Sequence, residues 1–420
     1  MPDPADTQAA VFLFSQVYRP DPAAVGQYLA ALGRALAERG VPVRVFTAHR
    51  GYDDPAVRYP ARENLEGVDV VRFRGVSFGK ESTMLRLAAA LSFCAQSVLR
   101  AVRIPPGSIV VVSTTPPFVA AFLALLARLR GYRLVYWVMD LNPDQLVALG
   151  RLRRHSLFGR VLAWMNAQAV NRADTVIALD AFMYERLRAY GATPTKSRVI
   201  GLWPMASSAA TATAGQAFRR EHGLEQQFVV MYSGNHTMSN PLDTLLEAAR
   251  ELVGHTDIRF VFVGGGTAKP ALASFVDRHG LANTLLLPYQ PLERLEESLA
   301  AADLHVVTMG EGMVGVIHPS KVYSALGVGR PVLYIGPEPS HVSEILDRHE
   351  VGWSVPHGDC AGAIRAILAA YRLSEAERDA MGRRGLAVVQ SGFSEEVLLG
   401  RIVDLVESLR APRTRPSPVT

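Results

Sequence analysis

Cysteine is nearly missing from this sequence: Cys94 and Cys360 are the only two among 420 residues, and they stand far apart. Without a C-x-x-C pair, neither a disulfide framework nor a zinc site has support, so both read as small buried apolar side chains. The start lacks a basic cluster ahead of an apolar run. Met1 to Ala10 carries Asp3 and Asp6 instead, which argues against a secretory leader and for a reducing cytoplasm. Charge is absent from Ile104 to Ala127, a 24-residue stretch as long as a membrane span. Ser113, Thr114, Thr115, Pro116 and Pro117 break that stretch, with the prolines at the first helical positions, into a buried strand and a helix over Phe118–Leu129. No nucleic-acid module and no basic stripe interleaved with aromatics is found, which excludes nucleic acid as a partner. No G-x-G-x-x-G follows the first strand, where a nicotinamide dehydrogenase would carry it; the loop there is RPDPAAVG.

What is present is apolar substance and uneven charge. Hydrophobic residues make up 49% and charged residues 20%, enough for proper cores, and the length suits two domains of about 200 residues each. Residues 1–200 hold 25 Lys and Arg against 15 Asp and Glu, whereas the remainder holds 19 against 24. The positive half suits an anionic membrane surface or a phosphorylated substrate.

The order of elements repeats. VFLFSQVY from Val11 reads as a buried strand, Gln27–Glu38 as a helix, and VPVRVFTA as a second strand, which together form a βαβ unit. Val68–Phe73, Ser108–Ser113, Arg133–Trp137 and Thr175–Leu179 continue the strands. ASSAATATAGQ, residues 206–216, is small, polar and aperiodic, and reads as a linker. The strand and helix rhythm then restarts: FVVMYSG, a helix over Pro241–Leu252, IRFVFVGGG, a helix over Lys269–His279, TLLLPYQ, a helix over Leu292–Ala302, LHVVTMG, a helix after Pro319, and PVLYIG. Helices over Ala361–Arg372 and Glu395–Leu409 close the pattern. The predicted organisation is an acceptor-side Rossmann-like domain over 1–205, the linker, a nucleotide-sugar-binding Rossmann-like domain over 217–410, and a disordered Pro/Arg tail over 411–420.

In open parallel sheets ligands bind beyond the C-terminal ends of the strands. In the second half those places hold Gly234, Asn235 and His236, then Gly264, Gly265 and Gly266, then Met309 to Gly315. Glycine lets a backbone approach a phosphate closely, although a glycine triplet after a strand is also what a plain tight turn needs. The stretch GEGMVGVIHPSKVYSALGVGRP says more. A glycine-rich loop containing Gly315 runs into Pro319, Ser320 and Lys321 at a helix start, where Ser320 can cap and Lys321 can meet diphosphate charge. The plain alternative is that Lys321 is a solvated lysine. Asp140 can equally be a turn residue, His236 and His318 can be packing residues, and Trp137 and Trp164 read as core.

Together these motifs resemble a GT-B glycosyltransferase of family four, in the bacterial exopolysaccharide or O-antigen branch that includes the colanic-acid enzymes. The resemblance is carried by YRPDPAAVGQYLAAL, YWVMDLNPDQLVALG, VMYSGNHTMSNPLDTLLEAA, FVGGGTAK, LPYQP and HPSKVYSALGVGRPVLYIG, with turns at Val351–Trp353 and Gly358–Asp359, and spans about residues 10–405. It implies an α/β fold of two doubly wound Rossmann-like domains facing across a cleft. It further implies that Gly234 and Asn235 approach a diphosphate, Gly265 and Gly266 a nucleotide, Tyr289 and Gln290 its base, and Ser320 with Lys321 the diphosphate again. Glu311 and Gly312 would sit near the donor sugar. His236, Lys269, Gly315 and Pro319 are counted with this donor pocket. In the first half Gly26 would face the cleft and Asp140 would line the acceptor side, so Asp140, Glu311 and Lys321 are the catalytic candidates. Many family members carry two glutamates eight positions apart before the A-x-G-x-P-V turn; here those places are Val316 and Ser324. The Pro-Ser-Lys branch commonly lacks the pair too.

The implied reaction is retaining transfer of a sugar from a nucleotide-diphosphate-sugar to a glycan acceptor, with charge building on the departing diphosphate. No D-x-D segment is present to bind a divalent ion, and a lysine with helix-end N–H groups can take the ion's place, so no metal or other cofactor is expected. Around Arg151, RLRRHSLFGRVLAWMNAQ combines four arginines with an apolar face, as a helix lying on an anionic membrane would, or as an ordinary surface helix would. A lipid-linked acceptor and a peripheral place on the cytoplasmic face of the cell membrane would follow. A sugar-nucleotide epimerase of similar architecture is the alternative, ahead of a dehydrogenase and a non-catalytic scaffold.

Overall fold

The computed structural model describes residues 10–51, 56–74, 83–116, 118–205 and 214–410. Its contacts divide the chain into two compact units, Met1–Ile200 with Leu399–Thr420, and Gly201–Leu398. The last helix, Glu395–Ser408, was expected to close the second domain; from Leu399 onward it belongs to the first unit. There Arg39 donates to Asp404 at 2.8 Å and to Glu407 at 2.7 Å. No local pattern announces such a return.

The first unit holds an eight-stranded sheet of β1 (Val11–Phe14), β2 (Val43–Ala48), β3 (Arg62–Leu65), β4 (Val68–Phe73), β5 (Ile109–Ser113), β6 (Arg133–Trp137), β7 (Thr175–Ala178) and β8 (Ser197–Val199), in the order β3-β4-β2-β1-β5-β6-β7-β8. Only β3 runs antiparallel, at the edge. Buried runs such as VFLF and IVVVS are what a sheet covered on both faces demands. The second unit holds β9 (Phe228–Ser233), β10 (Ile258–Val263), β11 (Thr284–Leu287), β12 (Leu304–Thr308), β13 (Val332–Ile335) and β14 (Gly352–Val355), all parallel, in the order β11-β10-β9-β12-β13-β14. That is the doubly wound order, and it reverses between β9 and β12. The turn expected at Val351–Trp353 lies instead mostly within β14.

Several local expectations change. The linker was drawn to 216, but a helix starts at Ala214; residues 206–213 and the tail 411–420 lie outside the described residues. Gly215 is small for a packing reason: a Cβ there would meet the backbone of Ala300 at 2.6 Å. The helix after β5 begins at Val119, so Pro116 stands ahead of its first turn; Pro117 is outside the described residues. Among the described residues no helix is long and apolar enough to cross a membrane. Cys94 is buried as expected, but Cys360 is half-buried at a helix start. Trp137 is core, whereas Trp164 is 57% exposed.

Candidate active site

The second unit builds its site at the C-terminal ends of β9, β10 and β12, around the reversal in strand order. Strand β9 ends in Tyr232 and Ser233 and turns at Gly234, whose φ of 130° favours glycine. Space requires glycine there too, because a Cβ at Gly234 would lie 2.4 Å from Cε of Lys321. Lys321 opens the helix Lys321–Gly327 after the β12 loop and folds back over β9. Its Nζ donates to the Tyr232 hydroxyl at 3.1 Å and lies 4.9 Å from the centre of that ring. Tyr232 in turn donates to the carbonyl oxygen of Asn235 at 2.9 Å. A buried phenol thus fixes a half-buried ammonium by a hydrogen bond and a cation–π contact, contributing about 0.5–2 kcal/mol.

The neighbouring loop is built around the same turn. Gly264 has φ 130° and a Cβ on it would strike the Gly234 oxygen at 2.1 Å; Gly266 has φ 131° and would strike Asn235 Oδ1 and the His236 oxygen, each at 2.3 Å. The two loops therefore interlock through glycines. His236 is wholly buried, its backbone N–H donates to the Gly265 oxygen at 2.7 Å, and its Nδ1 lies 3.2 Å from the same oxygen. A carbonyl only accepts, so Nδ1 carries the proton and Nε2 presents a lone pair that has no hydrogen-bond partner among the described residues. Burial first, then the charges of Lys321 and Lys269, push its pKa down to about 4. The imidazole is neutral at pH 7. Tyr289 is half-exposed, donates to the Gly265 oxygen at 3.1 Å, and would lie 2.9 Å from a Cβ at Gly265. Gly265, like its neighbours, leaves no room for a side chain.

Other expected residues have different employment. Lys269 spends its ammonium on the carbonyls of Gly264, at 2.5 Å, and Leu287, at 2.8 Å; it ties β10 to β11 rather than facing a ligand. Gln290 turns its amide to the Pro288 oxygen at 3.3 Å. Ser320 makes no capping hydrogen bond, because its φ of −59° and ψ of −15° are already helical and point its hydroxyl away from the first turn. Pro319 and Gly315 are buried in the loop leading there. Glu311 and Gly312 are exposed in the turn after β12; the Gly310 N–H donates to the Ser239 oxygen at 2.8 Å, which keeps that turn beside the β9 loop. His318 bonds the Tyr323 hydroxyl at 2.8 Å, a packing role. Val316 is buried and Ser324 half-buried, so neither offers a carboxylate.

Asp140 and Gly26 belong to the first unit. The Asp140 N–H donates to Thr114 Oγ1 at 3.2 Å. Gly26 sits in the first turn of Ala24–Glu38, where a Cβ would come within 3.0 Å of the Tyr18 backbone, so close packing explains this glycine. The buried carboxylate of this region is Asp144, which accepts from Arg154 at 2.5 Å and from the Tyr190 hydroxyl. Sequence reading passed over both Asp144 and Tyr232. A tyrosine inside an apolar strand needs a partner for its hydroxyl, and that was the available signal for Tyr232.

A doubly wound sheet with a lysine and four interlocked glycines at its reversal, in a chain with a second such sheet, is the build of a GT-B glycosyltransferase. Residues 23–203 match the family model "Glycosyl transferase 4-like domain" and residues 227–372 match "Glycosyl transferases group 1". The chain is 25% identical over 408 residues to "Probable glycosyltransferase WbjE" of Pseudomonas aeruginosa, covering 96% of this chain and 98% of that one. It is 28% identical over 333 residues to WcaI of Escherichia coli K12, named for colanic acid biosynthesis, covering 76% of this chain and 81% of that one. The solved structure of Anabaena HepE in complex with UDP matches with a TM-score of 0.68 at 15% identity, over 95% of this chain and all of that one. The chain belongs to the family-four GT-B glycosyltransferases.

Proposed function

We propose that this glycosyltransferase moves a sugar from a nucleotide-diphosphate-sugar to a lipid-linked glycan in exopolysaccharide or O-antigen biosynthesis, with retention at the anomeric carbon. The observation that carries the reading is Lys321, whose ammonium is held against Gly234 at the reversal of the second sheet. Transfer breaks a bond to a diphosphate, and the leaving charge is the largest the reaction must manage. A pre-positioned ammonium beside glycine backbone meets that charge without reorganising. WbjE and WcaI support the pathway, and UDP in HepE supports the donor class. With no D-x-D in the sequence, we assign the leaving-group role to Lys321 and backbone N–H groups and not to a divalent ion. The epimerase alternative is not favoured, since both matching family models are glycosyltransferase models.

The membrane reading keeps its place but changes its residues. Arg151, Arg153 and Arg154 precede the helix Leu157–Arg172, which Ser156 caps, and Arg154 pairs with Asp144. The apolar side is Leu157, Phe158, Val161 and Trp164, all exposed along one stripe. With Arg151, Arg153 and Arg160 exposed beside it, this stripe suits an anionic surface on the cytoplasmic face. A thermal-shift screen with UDP, GDP, CMP and their sugars tests the donor class: one nucleotide and its sugar should raise the melting temperature, and no shift with any would contradict it.

A further inference from the structure

The first unit carries a second charged hollow, at the end of its sheet opposite to where ligands of such folds bind. It measures about 520 Å³ and lies under the starts of β5 to β8. Its lining gathers Arg128, Arg133, Arg172, Lys196 and Arg410 against one carboxylate, Asp174. These cations arrive from five separate elements: the end of the helix Val119–Arg130, the first residue of β6, the last residue of Leu157–Arg172, the residue ahead of β8, and the chain just past Glu395–Ser408.

Helix ends explain part of this. A cation at a helix C-terminus gains about 0.3–1 kcal/mol from the dipole, which suits Arg172. It does not explain Arg133 on a strand or Lys196 ahead of one. Nor does it explain Arg410, whose Nε is buried without a hydrogen-bond partner among the described residues. The local charges do not balance either. Asp174 directs Oδ2 to the Leu134 N–H at 3.0 Å, an inward bond that holds β6 to the start of β7. Five like charges around one hollow repel, and a buried unpaired guanidinium nitrogen is costly. A multiply charged anion with several acceptor oxygens relieves both, and forked guanidinium groups fit phosphate best.

The geometry points to a binding site in this hollow for a phosphate-bearing anion, free or as a lipid headgroup, separate from the donor site of the second unit. Inorganic pyrophosphate is the probe, applied to the full chain. Arginine labelling with phenylglyoxal, mapped by mass spectrometry, should fall at Arg128 and Arg410 when pyrophosphate is added, while exposed Arg383 labels as before. In calorimetry Arg128→Gln with Arg410→Gln should weaken pyrophosphate at least about tenfold, the scale of losing charge-assisted hydrogen bonds. Because the labelling uses the unaltered protein, it stands even if the double variant folds poorly. Competition separates the sources: if phosphatidylglycerol vesicles protect the same arginines and phosphatidylcholine vesicles do not, the ligand is a headgroup, and if neither protects while pyrophosphate does, it is a free phosphate. Unchanged labelling of Arg128 and Arg410 with pyrophosphate, equal protection of Arg383, or equal binding by a folded double variant overturns the site.

Discussion

The two sheets share one winding but treat their strand ends oppositely. In the first unit the glycines with positive φ, Gly40, Gly67, Gly107 and Gly131, stand before β2, β4, β5 and β6. In the second, Gly234, Gly264, Gly266, Gly312 and Gly315 stand after β9, β10 and β12. At the first sheet's reversal, between β1 and β5, the chain closes on itself: the Gln16 N–H donates to the Thr115 oxygen at 2.9 Å and the Ala48 N–H to the Gln16 oxygen at 3.2 Å. At the second, glycines leave backbone accessible and a lysine is held over it. Winding alone does not make a donor site; the residues that follow the strands do.

The largest test of that contrast is Lys321→Ala, which should lower transfer about 100- to 1000-fold while changing stability by only about 0.5 kcal/mol. Activity within about fivefold of wild type, a gap of ~1 kcal/mol, would make Lys321 an ordinary solvated lysine and erase the difference between the sheets. Gly234→Ala should come next. Its methyl displaces Lys321 and strains a backbone at φ 130°, so activity should fall at least about tenfold with a stability cost of roughly 1–3 kcal/mol. The matching first-sheet change, Gln16→Ala, should leave donor binding as it was.

Acid sharpens the same contrast. Burial lowers His236 and His305 of the second unit from 6.5 to about 4. Both are neutral when folded and take a proton when unfolded, so their stability is present above pH 6.5 and lost as pH falls toward 4. At about 1.4 kcal/mol per pKa unit, each could withdraw up to about 3 kcal/mol. Calorimetry at pH 7 and pH 5 should show the second unit's transition falling further than the first's. The smallest effect concerns the membrane. Arg151→Gln with Arg153→Gln should weaken binding to anionic vesicles by roughly thirtyfold at about 1 kcal/mol per charge, and Trp164→Ser should weaken it again. Unchanged co-sedimentation would leave an ordinary surface helix.

Strands were legible because parallel sheets need continuous apolar runs, and Arg133–Trp137 and the helix Lys269–His279 match the structure at both ends. Edge strand β3, RENL, was not legible, since its side chains alternate between half-buried and exposed and carry no apolar face. The glycines of the site could be found because their place after strands is a local fact. What Lys269 and Ser320 do could not be found: two carbonyls from different strands claim the lysine, and a helical φ and ψ removes the cap. Trp164 failed for a related reason, because aromatic content marks core only when something packs against it.

The central claim is that the donor's diphosphate sits at the β9–β12 reversal and not at its first-sheet counterpart. Hydrogen exchange of the full chain, with and without the nucleoside diphosphate that raises its melting temperature, tests this directly. The account predicts slower exchange over 232–237, 264–266 and 318–323 and no change over 15–17 and 114–115. Protection at the first-sheet residues, with none at Gly234 and Lys321, would contradict it.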